Sequence, residues 1–228
     1  MFVSVFNFSG ALRDQGFLDY LHGKPFRLID CTDIDGTHCY CDADARKALE
    51  GRMAVEVDSV RWIDSGDYHY MSHLLALHQK EPFHLVLLDH HPDNQDPAFE
   101  GVLSCGSWVK AMQDENPLLK DVLTIGPEGC PRQFPAGWLE ERRGERVYVA
   151  LDKDILSPDY ARTDWSQGTF TLEEVKAMLS RLMDGTVAVG AVDICGELSG
   201  SKGGGPRDYA VNLRTNIELM DFMSDNLK

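Results

Sequence analysis

No apolar run in this sequence approaches the roughly 18 residues needed to span a bilayer, which excludes a membrane helix. Basic residues are few: 22 Lys plus Arg stand against 37 Asp plus Glu, a formal charge of −15. Nucleic acid and anionic membrane surfaces repel such a chain, so neither is an expected partner. The opening MFVSVFNFSG has no basic n-region and no small-residue cleavage site, which predicts no secretory leader and a cytoplasmic protein. The six cysteines (31, 39, 41, 105, 130, 195) form no disulfide-framework spacing and read as reduced thiols. Internal repeats and low-complexity tracts are absent, and the one flexible-looking stretch is GSKGGGP over 200–206. Histidine is missing from the whole chain after His91.

What is present is a succession of short apolar runs: Phe2–Phe8, Phe26–Ile29, Val60–Ile63, Phe83–Leu88, Val122–Ile125, Val147–Leu151 and Val187–Ile194. Several lack polar alternation, as strands covered on both faces do. Helical patterns separate many of them. Thr171-Leu-Glu-Glu174 is a capping box, and Leu172, Val175, Leu179 and Leu182 follow on one helical face. Tyr70–Lys80 and Asn212–Asn226 also read as helices. The pattern predicts a single domain over 1–228, a three-layer α/β/α sandwich with a mostly parallel sheet. Ligands in such folds bind at the carboxyl ends of the strands.

Carboxylates stand at those ends. FHLVLL runs into Asp89-His-His91-Pro-Asp93, where two-residue spacing lets Asp89, His91 and Asp93 converge while His90 faces away. VYVAL runs into Asp152-Lys-Asp154, and VRWI precedes Asp64-Ser-Gly-Asp67-Tyr-His69. Paired carboxylates near a core repel unless a cation relieves them. Asp89, Asp93, Asp152 and Asp154 balance two divalent cations, with His69 and His91 as neutral nitrogen ligands. Oxygen-rich ligation without thiolate suits Mn²⁺ or a similar ion, and a metal pair can share a hydroxide made from water. His73 is the reserve for His69.

The motifs Gly66-Asp-Tyr-His69, Asp89-His-His91-Pro-Asp93 and Ala150-Leu-Asp152-Lys-Asp154, in this order, resemble those of the arginase/agmatinase (ureohydrolase) family. The likeness runs from about Val60 to Glu197. It implies an arginase-like fold and a binuclear, usually manganese, hydrolase of a guanidino or amidine C–N bond that releases urea or a related product from a small guanidino-type substrate. It implies that Asp89 and Asp152 bridge the ions, that His69 and Asp93 complete one site, and that His91 and Asp154 complete the other. It further implies that Glu197 or Asp193 holds the substrate cation, that Asn94 lies beside the substrate, and that Asp154 accepts a hydrogen bond from the nucleophile. Since no histidine follows His91, the proton for the leaving amine falls to water or a tyrosine. Members of the family form trimers or hexamers, so a homo-oligomer is expected.

Three other readings compete. One is a metal-binding protein on the same fold without turnover. Another is a deacetylase-like amide hydrolase, which usually uses one zinc. Asp33-Ile-Asp35-Gly-Thr37 matches the Asp-x-Asp-Gly-Thr of haloacid-dehalogenase-type phosphatases, although a turn with an Asx cap explains it equally. Trp165-Ser-Gln-Gly168 is expected to form a loop over the site. Cys105 and Cys195 read as small apolar residues.

Overall fold

The apolar runs become strands because their β-branched and aromatic residues fit a pleated surface, and because both sides of that surface are covered. In the computed structural model, which describes residues 2–53, 59–99 and 101–227, the elements follow in order β1 (Phe2–Asn7), α1 (Ala11–Asp14), α2 (Phe17–Leu21), β2 (Phe26–Asp30), β3 (Tyr40–Cys41), α3 (Ala43–Arg52), β4 (Ser59–Ile63), α4 (Met71–Ala76), β5 (Phe83–Leu88), β6 (Leu103–Ser104), α5 (Trp108–Glu115), β7 (Leu119–Ile125), α6 (Trp138–Glu141), β8 (Arg146–Asp152), α7 (Leu172–Leu182), β9 (Ala188–Cys195) and α8 (Pro206–Asn226). Seven strands form one sheet in the order β2-β1-β4-β9-β8-β5-β7, and every pairing in it is parallel. All seven correspond to the apolar runs of the sequence.

Alternation along each strand divides the core in two. Val147, Val149 and Leu151 of β8 join one cluster with residues of α7 and α8, such as Val175, Leu179 and Leu219. Tyr148 and Ala150 of the same strand join the other, with residues of α3, α4 and α5, such as Leu49, Leu74 and Met112. The result is a three-layer α/β/α sandwich. No helix among the described residues is long and apolar enough to cross a membrane.

The helices follow the sequence with shifts at their ends. Thr171 caps α7, its hydroxyl accepting from the Glu174 amide at 3.2 Å, while Glu174 accepts from the Thr171 amide at 2.8 Å. The 70–80 helix is shorter, with α4 ending at Ala76 and turns following. The last helix begins earlier than 212, because Pro206 is preorganised for a first turn and follows the glycines directly. Helix α3 and the two-stranded antiparallel ribbon β3–β6 were not legible as elements; the ribbon is two residues long on each side and lies beside the site.

In sheet order β4, β9, β8 and β5 are neighbours. Their carboxyl ends therefore gather the segments that begin at Asp64, Glu197, Asp152 and Asp89 on one rim.

Candidate metal centre

Asp89 directly follows β5, and the chain then bends over residues 89–91 on its way to Asp93. The Asp89 carboxylate accepts from the His91 amide at 2.6 Å, which fixes the first bend. Asp93 adopts a left-handed backbone, φ 46°, a conformation that costs a non-glycine residue of order 1 kcal/mol or more. Its carboxylate is held by the indole N–H of Trp108 at 2.7 Å, and its carbonyl accepts from the Val109 amide. At the end of β8, Asp152 accepts from the Asp154 amide at 2.8 Å, and Asp154 accepts from the His90 amide at 2.9 Å. Backbone amides thus aim these acids before any ligand arrives.

The side chains meet. His69 Nδ1 lies 3.1 Å from Asp93, 3.2 Å from Asp89 and 3.6 Å from Asp152. His91 Nδ1 lies 2.7 Å from Asp154 and 3.7 Å from Asp89. Three groupings form here, His69-Asp89-Asp93, Asp89-His91-Asp154 and His69-Asp152-Cys195, and a fourth, His38-Cys39-Asp67, lies beside them. Asp89 belongs to two of them.

This donor set fits a divalent pair. His69 Nδ1, His69 Nε2 and Asp89 Oδ2 are buried polar atoms without a hydrogen-bond partner, although carboxylates stand within 3.6 Å of the ring nitrogen. Leaving such groups unsatisfied costs about 1–3 kcal/mol each, and a cation at the point where His69 Nδ1 and the Asp89 carboxylate converge removes that cost for these two. The electrostatics agree. Burial, then the Asp154 charge, pushes Asp152 up to about 7. Burial, then Asp89, pushes Asp154 to about 8. Asp89 is raised by burial and by Asp93. Burial would lower His69, but the Asp89 and Asp93 carboxylates beside it outweigh that and hold the imidazole well above its ordinary value. The hydrogen bonds to Asp154 and Asp89 raise His91 to about 10. Without metal, these acids compete for protons.

The six residues expected as ligands are therefore brought together. His73 is not among them: its Nε2 faces Glu115 at 3.2 Å. Cys195 packs in the core as expected and also donates its thiol hydrogen to Asp152 Oδ2 at 3.1 Å. Burial and Asp152 push that thiol well above its ordinary value, so it stays neutral.

The expected substrate acids lie elsewhere. Glu197 is sealed in the interior, where Gln15 donates at 2.7 Å, Asn216 at 2.9 Å and Asn212 at 3.1 Å, and Lys153 forms an ion pair with it. The residue before it explains this. Gly196 has φ 90°, which breaks the strand's alternation and turns Glu197 away. A Cβ at Gly196 would collide with the Asp152 carboxylate and the Lys153 amide. Asp193 is paired with buried Arg61 at 2.6 Å and accepts from the Tyr148 hydroxyl at 2.5 Å. Asn94 is exposed and is not part of the cavity wall; its neighbour Gln95 is. Asp33 forms a surface ion pair with Arg52, and Asp35 is exposed after the edge strand β2, far from the arrangement a phosphatase nucleophile needs.

Above the acids is a cavity of about 270 Å³, the size of a small-molecule site. Asp89, His91, Asp93, Asp152 and Asp154 form its floor. Trp165 forms one wall, as the loop after the third motif was expected to, and Ser166 meets His91 Nε2 at 2.9 Å. More of the lining comes from the β3–β6 ribbon and its flanks, with Tyr40, Cys39 and Cys105, which sequence reasoning missed. Burial, then Asp67, pushes Cys39 to about 11; burial, then Cys39, pushes Cys105 to about 12, so both thiols are neutral. Asp67 of the first motif is not a floor residue. It accepts from the Trp165 indole at 2.9 Å and from the Cys39 thiol at 3.2 Å, with Lys202 at 3.2 Å.

No family model matches the chain. An uncharacterized protein of Thermotoga maritima is 31% identical over 202 residues, which covers 86% of this chain and 79% of that one. Among solved structures, arginase from Bacillus cereus aligns over the whole of both chains with a TM-score of 0.65 at 15% identity. Proclavaminate amidino hydrolase from Streptomyces clavuligerus aligns with a TM-score of 0.64 at 20% identity, over 97% of this chain and 89% of that one. A hypothetical agmatinase from Burkholderia thailandensis gives 0.64 at 17% identity, over 98% and 85%. At such identities the likeness is one of fold.

Proposed function

The chain belongs to one family with the Thermotoga maritima protein and has the fold of the arginases, and from that premise we propose that it is a metal-dependent hydrolase of a non-peptide C–N bond of the linear-amidine type. The observation that carries the reading is that Asp89 belongs both to the His69-Asp93 grouping and to the His91-Asp154 grouping. An acid shared between two donor sets is what a pair of ions needs, and a single zinc does not. Asp89 and Asp152 would each serve both ions, His69 and Asp93 would complete one set, and His91 and Asp154 the other. Manganese is the proposed metal, because the donors are hard oxygens with imidazole and the one thiol is neutral. Bound there, a divalent pair supplies Lewis acidity, drawing the pKa of water toward neutrality and offsetting charge as the attacked carbon becomes tetrahedral.

The chain's own residues do the rest. The backbone amides of His90, His91 and Asp154 hold three of the acids in fixed orientations, so little reorganisation accompanies reaction. Asp154, on the cavity floor, would accept a hydrogen bond from the attacking water and orient its lone pair. Trp165 and the ribbon residues narrow access, which limits competing solvent. Tyr40 is the tyrosine of the cavity wall, and with solvent it is the proposed source of the leaving amine's proton. The partner in this reading is a small molecule, and the chain works as one domain over 1–228.

The test is a screen of guanidino and amidino compounds for urea or ammonia release by Mn²⁺-loaded protein. Release that is lost in Asp152→Ala and on chelation is expected. Metal-loaded protein that releases neither product from any member of the set would overturn the reading.

A further inference from the structure

Tyr40, Phe99 and Trp165 are 45%, 64% and 41% exposed, and they are three of the five large apolar side chains left open among the described residues. They are not scattered. Tyr40 and Trp165 line the cavity, and Phe99 stands edge-on to Tyr40 with ring centroids 6.2 Å apart. A cluster of aromatic surface left in water at the mouth of a polar cavity marks a binding surface.

The Trp165 ring is held without a ligand: its indole N–H donates to Asp67 at 2.9 Å, and Asp67 is itself buried. The backbone of Tyr40 is fixed beside Ser104 by the pairing of β3 with β6, and its ring stands against Phe99. A ring already ordered in the free protein loses little entropy when an apolar group settles on it.

Among the described residues, the cavity lining contains no lysine or arginine, and its carboxylates are the four floor aspartates. Lys202, beside Trp165, is paired with Asp67 at 3.2 Å. Glu197, which would have offered a carboxylate to a cation, is sealed by Lys153, Gln15, Asn212 and Asn216. A cationic or anionic tail entering here would be partly desolvated with no partner, which is unfavourable.

Resting on the hydrolase reading above, we infer that the substrate presents its reacting carbon to the aspartate floor and an uncharged aromatic or aliphatic group to Tyr40 and Trp165, with Phe99 covering the outer edge. The specificity-determining residues are then Tyr40, Phe99 and Trp165, and the substrate class is an amidine or guanidine bearing an apolar tail rather than a charged one.

The experiment compares N-benzylguanidine with agmatine, which share the guanidino group and differ in tail charge. Binding to Mn²⁺-loaded protein is read by calorimetry, and urea release is read separately. N-benzylguanidine is expected to bind at least tenfold tighter than agmatine. Tyr40→Ala should remove most of that preference, Phe99→Ala part of it, and Tyr40→Phe should keep it. Equal or tighter binding of agmatine, binding of neither compound, or a preference untouched by Tyr40→Ala would overturn the inference. Binding with the expected preference but no urea release would uphold the apolar subsite and count against the hydrolase reading. Urea release with agmatine preferred would do the reverse.

Discussion

Lys153 stands between two floor aspartates in sequence, yet its ammonium is turned into the interior and paired with Glu197, with both side chains at most 1% exposed. Asn216 accepts from the same ammonium at 2.7 Å and donates to Glu197 at 2.9 Å, so the pair is completed by amides. It ties helix α8 and the α1–α2 turn, through Gln15, to the ends of β8 and β9. Breaking a buried pair by removing one charge costs about 3–5 kcal/mol, because the other charge is left uncompensated. Glu197→Gln should therefore lower the denaturant midpoint strongly. A variant of unchanged stability that had lost kcat/KM at least tenfold would instead place Glu197 at the substrate.

Metal content should follow the shared acids. Protein prepared with Mn²⁺ is expected to hold about two ions per chain. Asp89→Ala should lose most of both, because Asp89 belongs to two donor groupings. His69→Ala should lose about one, and His73→Ala none, since His73 faces Glu115. Elemental analysis of the purified variants decides it, and full occupancy in Asp89→Ala would refute a bridging role.

The metal-free form should lose stability as pH rises. Asp152 goes from 3.8 to about 7 and Asp154 from 3.8 to about 8 in the folded chain, so between roughly pH 4 and 8 the folded state binds more protons than the unfolded one. Stability must then fall across that window. His91, raised from 6.5 to about 10, acts in the same direction above pH 6.5. Thermal melts in chelator should show a falling Tm from pH 5 to pH 8, and saturating Mn²⁺ should flatten or reverse the slope. A rising Tm in chelator would contradict the crowding of these acids.

Asp67 should govern the position of Trp165. It accepts the indole N–H and the Cys39 thiol and pairs with Lys202, joining both cavity walls. Asp67→Ala leaves these donors without their partner, at about 1–3 kcal/mol. Trp62, Trp108 and Trp138 are buried, so acrylamide quenching reports chiefly on Trp165. Quenching should rise in Asp67→Ala while metal content stays near normal. Unchanged quenching would show that the indole is held by packing alone.

Several features were set by local chemistry and could be read directly. Seven apolar runs became seven strands; the central ones, such as β5 and β8, are covered on both faces and so nearly apolar throughout, while the edge strands β2 and β7 are partly exposed. The floor was legible too. Asp89-x-His91-x-Asp93 and Asp152-x-Asp154 marked the right residues, but not through the extended backbone expected: residues 89–91 bend, Asp93 is left-handed and Lys153–Ile155 forms a 3-10 turn, so backbone amides rather than strand alternation aim the side chains. Whether His69 or His73 faced the acids was open in sequence, because the two lie about one helical turn apart; the turn before α4 directs His69 to the floor.

What the sequence by itself determined, then, is the position of the strand-forming apolar segments, the α/β class and the acids and imidazoles of the floor. Tertiary structure decided everything that depends on pairing across long separations. Glu197 and Asp193 read as free carboxylates at a strand end, but Lys153 and Arg61 neutralise them from positions 44 and 132 residues away. The one local sign was Gly196, whose left-handed backbone turns Glu197 out of the strand's alternation. The β3–β6 ribbon escaped notice because two residues carry no periodicity, and its strands lie about 60 residues apart. Only when the sheet folds do that ribbon and Trp165 come to line one cavity, with Cys39 and the Trp165 indole both donating to Asp67.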